Sequence, residues 1–308
     1  MNMKVITVKE QKTKEELDEI KGTYLDESYI KYPIPKDNTT FKNEDGDIVA
    51  VYLNKIVPFE HCKKAFPFLR RASLRLSNNR GMASGQTDEI KVGMKIDGLY
   101  VGKVLGHGKF IPLKKDGTLS NSPKAIAVNS SVIGYMDRYA RIPYCRMTEY
   151  SQRFFEEYKQ TLPYIRYISK LYETFVPEKY NLQKEYWHKI HKDFRIDNTA
   201  FTTVTLNNNF RTACHTDKGD YQDGIGNLAV LEKGKYDGAY TVIPRYGIGL
   251  DVRNTDVGFF DVHEIHGNTE IVKHGACERV SVVCYVREKM INCGSAKEEL
   301  QIALERDK

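Results

Sequence analysis

No apolar run in the 308 residues approaches the roughly 18–20 that a membrane-spanning helix needs, and the N-terminus lacks the hydrophobic stretch of a secretory leader. The six cysteines (Cys62, Cys145, Cys214, Cys277, Cys284 and Cys293) form no C-x-x-C pair and no regular framework. In a long lysine-rich chain that pattern predicts reduced thiols and a soluble, intracellular protein, in nucleus or cytoplasm, or in the host cell if the chain is viral or phage-encoded. Gly102, Gly106 and Gly108 are followed by no Gly-Lys-Ser/Thr, which excludes a P-loop, and His107 beside them is expected to be exposed. Acidic residues are absent from His61 to Thr87, where Lys63, Lys64, Arg70, Arg71, Arg75 and Arg80 all fall. Such a cluster is by default a solvated face.

A hydrophobic content of 41% suffices for a sizeable core and argues against disorder. The net charge of +6 permits a polyanionic partner without demanding one. One large domain is the simpler reading of this length. Residues 1–43 form a polar, uneven N-terminal segment, with a short helix expected from Lys12 to Ile20. Asp45-Gly46 reads as a turn before a strand from Ile48 to Leu53. Thr148 to Tyr172 carries an apolar stripe at three- and four-residue intervals, predicting a core-packing helix that Pro163 splits or kinks. A second helical piece spans Leu182 to Lys192, whose His188 and His191 read as non-ligands. From Thr199 to Glu288 short strands alternate with turn signals, as in a β-sandwich or barrel. Ser295 and Glu298 form a capping box that opens a C-terminal helix over 294–308.

The chemistry concentrates between Phe201 and Glu288. His215 and Asp217 follow the β-type run Thr202–Leu206, and residues two apart on an extended chain point the same way. Cys214, adjacent to His215 and pointing the opposite way, is expected to pack inward. His263 and His266 lie at a second strand end, and either could supply another imidazole. A third strand reads as opening with Arg279, with Ser281 two residues on. Two imidazoles and a carboxylate on one face of Fe(II) leave positions open for a 2-oxo acid and dioxygen. A guanidinium then matches the far carboxylate of 2-oxoglutarate, with a serine hydroxyl assisting.

The segments TTVTLNNNFRTACHTDKGDY (202–221), FFDVHEIHGNTEI (259–271) and RVSVVCYVR (279–287) resemble the TET/JBP family, closest to its kinetoplastid thymine hydroxylases. The likeness runs from about residue 44 to 291. Members are Fe(II)- and 2-oxoglutarate-dependent oxygenases that hydroxylate the methyl group of thymine or 5-methylcytosine in DNA. The resemblance implies an α+β fold with a mostly β core: a double-stranded β-helix, jelly-roll or cupin-like, with supporting helices packed outside. It assigns the second histidine ligand to His266, leaving His263 behind it, so that His215, Asp217 and His266 hold Fe(II). It assigns 2-oxoglutarate to Arg279 and Ser281, with O2 as co-substrate. A dioxygenase domain over 44–293 follows, with 82–125 as an inserted loop region that could contact DNA.

DNA, presented as a flipped or single-stranded base, is the expected partner. Arg75, Asn78, Arg80, Gly81, Asn207 and Arg211 are the candidate contacts, and Asn208, Asn209, Asp220 and Tyr221 are further candidates for lining the pocket. No membrane association, no separate DNA-reading domain and a monomeric state are expected. Rival readings are a 2-oxoglutarate hydroxylase of protein side chains or small metabolites, and a nonenzymatic DNA-binding relative. A zinc hydrolase is disfavoured because nothing supplies its general base.

Overall fold

A computed structural model describes residues 3–77, 80–85, 90–96, 98–106, 109–125 and 127–306, so that Asn78 and His107 lie outside the described residues. The molecule is a double-stranded β-helix with helices on its outer face. Its long sheet runs in the order Lys4–Thr7, Thr39–Lys42, Ile48–Leu53, Val257–Phe260, Gly226–Gly238, Ile271–Tyr285, Thr203–Asn208, Val128–Met136 and Arg146–Met147. Facing it is a three-stranded sheet of Ile248–Leu250, Thr241–Ile243 and Gly267–Asn268. Val230, Ile243, Ile248, Leu250 and Phe260 fill the space between the two. Lys4–Thr7 pairs in parallel with Thr39–Lys42, so the N-terminal segment extends the long sheet.

Alternation on two neighbouring strands separates core from cavity. On Thr203–Asn208, Val204 and Leu206 enter the core, whereas Thr205 and Asn207 line a cavity. On Ile271–Tyr285, Val280, Val282 and Cys284 are core, and Arg279, Ser281, Val283 and Tyr285 face the same cavity. The two strands are antiparallel, with Asn207 opposite Ser281 and Thr205 opposite Val283. Arg279 therefore sits well inside a strand that begins at Ile271; it does not open one.

Behind the long sheet pack the helices Phe59–Ser73 and Phe155–Phe175. The second runs unbroken through Pro163, contrary to the expected division there, and the break falls earlier, at Phe154. An interior proline costs a helix about 3 kcal/mol. Burial of Tyr158, Tyr164, Ile165, Ile168, Leu171 and Tyr172 contributes about 1.5–3 kcal/mol for each large side chain, which outweighs it. Tyr172 is fully buried and stacks on Phe201 and Phe259, with ring centroids 6.3 and 5.9 Å away. Further helices span Lys14–Glu19, Pro177–Lys189 and Ala296–Arg306, the first and last opened by capping boxes at Thr13/Glu16 and Ser295/Glu298.

Two further expectations are corrected. Cys145 and Cys293, 148 residues apart, are joined by a disulfide, so these two thiols are not reduced. They sit among Trp187, Ile190, Val286 and Met290, and no spacing rule could have paired them. The remaining cysteines are free and buried. Between 82 and 125 the chain forms a four-stranded antiparallel sheet, Lys95–Ile96, Leu99–Gly106, Lys109–Pro112 and Lys124–Ala125, where a loop was expected. Ile90, Val101 and Phe110 give it a small core of its own. Among the described residues no helix is long and apolar enough to cross a membrane.

Candidate active site

His215 lies seven residues beyond the end of Thr203–Asn208, in an irregular extended segment that does not continue the strand. What holds it is a two-way backbone bridge: His215 N–H donates to the His266 carbonyl, and His266 N–H donates to that of His215, both at 2.9 Å. Gly267 permits this approach. A Cβ there would meet the Ala213 and Cys214 backbone at 3.1 Å. Cys214 points away into a buried cluster with Leu17, Leu25, Val242 and Ile265.

Each ligand-type imidazole is oriented by a carbonyl two residues upstream. Nδ1 of His215 lies 2.7 Å from the Ala213 oxygen, and Nδ1 of His266 lies 2.9 Å from that of Glu264. A carbonyl only accepts, so Nδ1 carries the proton in both rings and Nε2 presents its lone pair. Those Nε2 atoms lie 3.4 and 3.9 Å from the Asp217 carboxylate oxygens. One ligand atom from each of the three residues falls within 4.8 Å of the others.

The electrostatics suit a cation. Burial pushes His266 down to about 4, and the neighbouring His215 adds to this, so its ring is neutral at ordinary pH. Burial opposes ionisation of Asp217, yet the hydrogen bond with His215 and the positive potential of both imidazoles and Arg80 hold the carboxyl down to about 2. Burial likewise opposes protonation of His215, but its contact with Asp217 prevails and raises it.

The three residues line a cavity of about 400 Å³ whose walls come from both sheets. Arg279 is 3% exposed, and its Nε has no hydrogen-bond partner. Its backbone is fixed by Asn209, which accepts from it through the side chain and donates to it through the main chain. A buried guanidinium with an unpaired donor, beside the Ser281 hydroxyl, requires an anionic acceptor from outside the chain. Two imidazoles, one carboxylate and this cation together fit Fe(II) and 2-oxoglutarate.

The other expected residues divide. Arg80 and Asn207 line the cavity, and the Arg80 Nε is also buried without a partner. Gly81 takes φ +52° at the start of a short 3-10 helix beside it. Arg75 pairs with Glu149, away from the cavity. Arg211 donates to the carbonyls of Leu25 (2.7 Å) and Asn268 (3.3 Å) and lies over the Tyr24 ring. Asn208 donates to Ser73 and Tyr221 stacks on Tyr186 at 4.2 Å, whereas Asp220 lines the cavity. His263 packs behind the ligands against Asp261 and the Asp220 carbonyl. His188 and His191 take no part in the ligand cluster.

The acid-free stretch 61–87 is partly neutralised in space, because Arg70 forms a two-pronged pair with Glu278 and Arg71 pairs with Glu157. Lys21, Phe210, Tyr285 and Arg287 are among the cavity residues that were not anticipated. Continuing the two-residue step from Arg279 and Ser281 reaches Tyr285 and Arg287, so that signal was present.

Comparison with known proteins agrees with this geometry. The chain is 37% identical over 168 residues to the bifunctional helicase and thymine dioxygenase JBP2 of Leishmania infantum, covering 53% of this chain and 15% of that protein. It is 36% identical over 168 residues to the thymine dioxygenase JBP1 of Trypanosoma brucei brucei, covering 53% and 19%. The solved structure of NgTET1 in complex with 5mC DNA superposes with a TM-score of 0.53 at 14% identity, over 87% of this chain and 84% of that one. The sequence profile of the TET/JBP family, the oxygenase domain of the 2OGFeDO superfamily, matches residues 131–288 and so takes in His215, Asp217, His266 and Arg279. That match covers just over half of the sequence, and the chain therefore belongs to the TET/JBP family of Fe(II)- and 2-oxoglutarate-dependent oxygenases.

Proposed function

We propose that this chain hydroxylates the methyl group of thymine in DNA, with 5-methylcytosine as the second candidate base. The observation that carries the reading is the meeting of His215, Asp217 and His266 with the unpaired Arg279 in one cavity. Thymine is placed first because relatives at 36–37% identity are thymine dioxygenases, whereas likeness to the 5mC-bound protein rests on fold alone.

In this reading His215, Asp217 and His266 hold the iron, and Arg279 with Ser281 holds the distal carboxylate of 2-oxoglutarate. When bound, the iron, co-substrate and O2 supply the oxidising power that converts a methyl group to hydroxymethyl, with release of succinate and CO2. The protein's own contribution is orientation. Carbonyls fix both imidazoles, strand alternation aims Arg279 and Ser281 into the cavity, and the core behind excludes water. A methyl stacked inside a duplex cannot reach this cavity, so the base enters flipped or from a single strand. Arg80, Asn207, Asp220, Tyr285 and Arg287 are among the polar side chains available to its edge. The catalytic unit is taken as residues 44–293.

The test is anaerobic loading with Fe(II) and 2-oxoglutarate, then aerobic incubation with thymine-only DNA and with 5-methylcytosine DNA, followed by mass spectrometry of the nucleosides. Hydroxymethyluracil from the first substrate supports the proposal. Product from 5-methylcytosine DNA alone moves the assignment to the second base. Modification of neither, with peptide or metabolite turnover instead, overturns it.

A further inference from the structure

The four-stranded sheet between Lys95 and Ala125 has two chemically distinct faces. Its inner face carries Ile96, Leu99, Val101, Val104 and Phe110. Strand register defines the outer face. Lys95 lies opposite Tyr100 and Lys103 opposite Ile111, with Lys109 two residues from Ile111 on the same strand. Lys95, Lys103 and Lys109 are all exposed, and Tyr100 is 53% exposed with the Lys95 ammonium 5.5 Å from its ring.

Over residues 90–125 seven lysines stand against two aspartates. Among the described residues none of these lysines forms an ion pair. That contrasts with Arg70, Arg71 and Arg75, each neutralised by a glutamate from elsewhere in the chain. Among the described residues the helix at 59–73 keeps only Lys63 and Lys64 exposed without an ion pair, so unbalanced positive charge is denser on this sheet.

Its position relative to the cavity follows from the chain. Met82 and Ala83 line the cavity, and Ile90 follows Gly85 by five residue steps, a reach of at most about 18 Å. The chain returns through Val128–Met136, where the Ser130 hydroxyl donates to Asn207 on the cavity wall. Both connections therefore spring from the cavity rim. Lys95, Lys103 and Lys109 occupy three adjacent strands about 5 Å apart and are staggered along them, Lys95 level with Tyr100 and Lys109 with Gly106, so they span about 16 Å. Along one strand of duplex DNA that distance holds about five phosphates.

We propose that the outer face of this sheet is a docking surface for the phosphate backbone of the DNA that flanks the base held in the cavity. The ammonium groups neutralise phosphates, and Tyr100 lies among them as an amphipathic contact. The proposal rests on the reading of DNA as substrate. It adds where the flanking nucleic acid lies and predicts that long substrates are favoured over short ones.

The experiment compares wild type with the triple variant Lys95→Gln/Lys103→Gln/Lys109→Gln, and with Lys63→Gln/Lys64→Gln as a control on the helix at 59–73. Binding of a 30-base-pair thymine-containing duplex is measured against salt, with initial rates on that duplex and on a short single strand. The expected result is a slope of log affinity against log salt smaller by about 2–3 in the triple variant. KM for the duplex should rise at least about tenfold, with kcat, short-strand turnover and melting temperature unchanged. An unaltered slope and KM in the triple variant, or an equal loss in the control, overturns the surface. If wild type modifies no base yet binds duplex through these lysines, the surface stands and the substrate reading fails. If wild type modifies DNA and the triple variant matches it, the reverse holds.

Discussion

His215 and His266 are held side by side by reciprocal backbone hydrogen bonds of 2.9 Å, with their ring centroids 4.5 Å apart and the rings tilted by 49°. Neither residue owes its position to its own strand alone. The bridge converts 51 residues of sequence separation into a fixed ligand pair, and Asp217 completes it from the same segment as His215. Metal binding therefore closes a geometry that backbone hydrogen bonding has already set.

Replacing His266 or Asp217 by alanine should lower Fe(II) affinity by about 100-fold or more and abolish succinate formation, because a missing donor also unbalances its neighbours. DNA affinity, measured separately by fluorescence anisotropy, should stay within about twofold. A parallel collapse of DNA binding would mean that the bridge, and not the metal, depends on these side chains.

Metal affinity should weaken on acidification, and the sign follows from the titrating group. His215 has its pKa raised above the usual imidazole value by Asp217, so its proton must leave before Nε2 can bind a metal. His266, pushed down to about 4, is already neutral, and Asp217, held down to about 2, is already ionised. About one proton should thus be released per metal at about pH 6, and fewer as the pH rises. Calorimetry with Mn(II) in buffers of different ionisation enthalpy measures that number; a count near two at about pH 6 would contradict it.

For Arg279→Met the KM for 2-oxoglutarate should rise by roughly 30- to 1,000-fold, the equivalent of about 2–4 kcal/mol for a lost charge-assisted pair. Arg279→Lys should recover only part of this, because an ammonium cannot reproduce the planar fork. Succinate formation against co-substrate concentration reads both values, with little change expected in metal affinity.

Truncating Tyr172 to alanine should destabilise the fold by about 3–5 kcal/mol, since the ring fills the space between Phe201 and Phe259. Chemical unfolding gives the figure directly. Tyr172→Phe should cost less, because the ring stays in place and only the hydroxyl's contacts with Gln183 and the Ile225 backbone are lost.

Reduction of Cys145–Cys293, or Cys293→Ser, should lower stability by about 2–4 kcal/mol. The C-terminal helix should remain docked under reducing conditions. Glu299 is 2% exposed and still accepts from Arg138, from the Cys145 N–H and from the Gly294 N–H. Hydrogen exchange across 296–306 before and after reduction distinguishes docking from release.

Much of the site could be read from local spacing, and what could not be read was long-range. The two-residue step that joins His215 to Asp217 and Arg279 to Ser281 is a backbone property, so it is visible in one dimension. The choice between His263 and His266 was not, because both lie near the same strand end; it needed the family's Gly-Asn-Thr-Glu segment. The partners of Arg70, Arg71 and Arg75 come from positions 278, 157 and 149, and nothing in an acid-free stretch announces acids so distant. Lys21 reaches the cavity from the N-terminal segment for the same kind of reason, since residues around it pack beneath Cys214. Pro163 shows the limit of a local rule. Its cost is real, and the burial on either side of it is larger.

The strand Ile271–Tyr285 acts as a wall with two occupied sides. Insertion or deletion of a single residue upstream of Arg279 on this strand would exchange them, turning Val280, Val282 and Cys284 toward the iron and driving Arg279 and Ser281 into the hydrocarbon core. Stability and co-substrate binding would fail together. Evolutionary change in length is thereby confined to the connections, while the phase of this wall must persist in any working descendant.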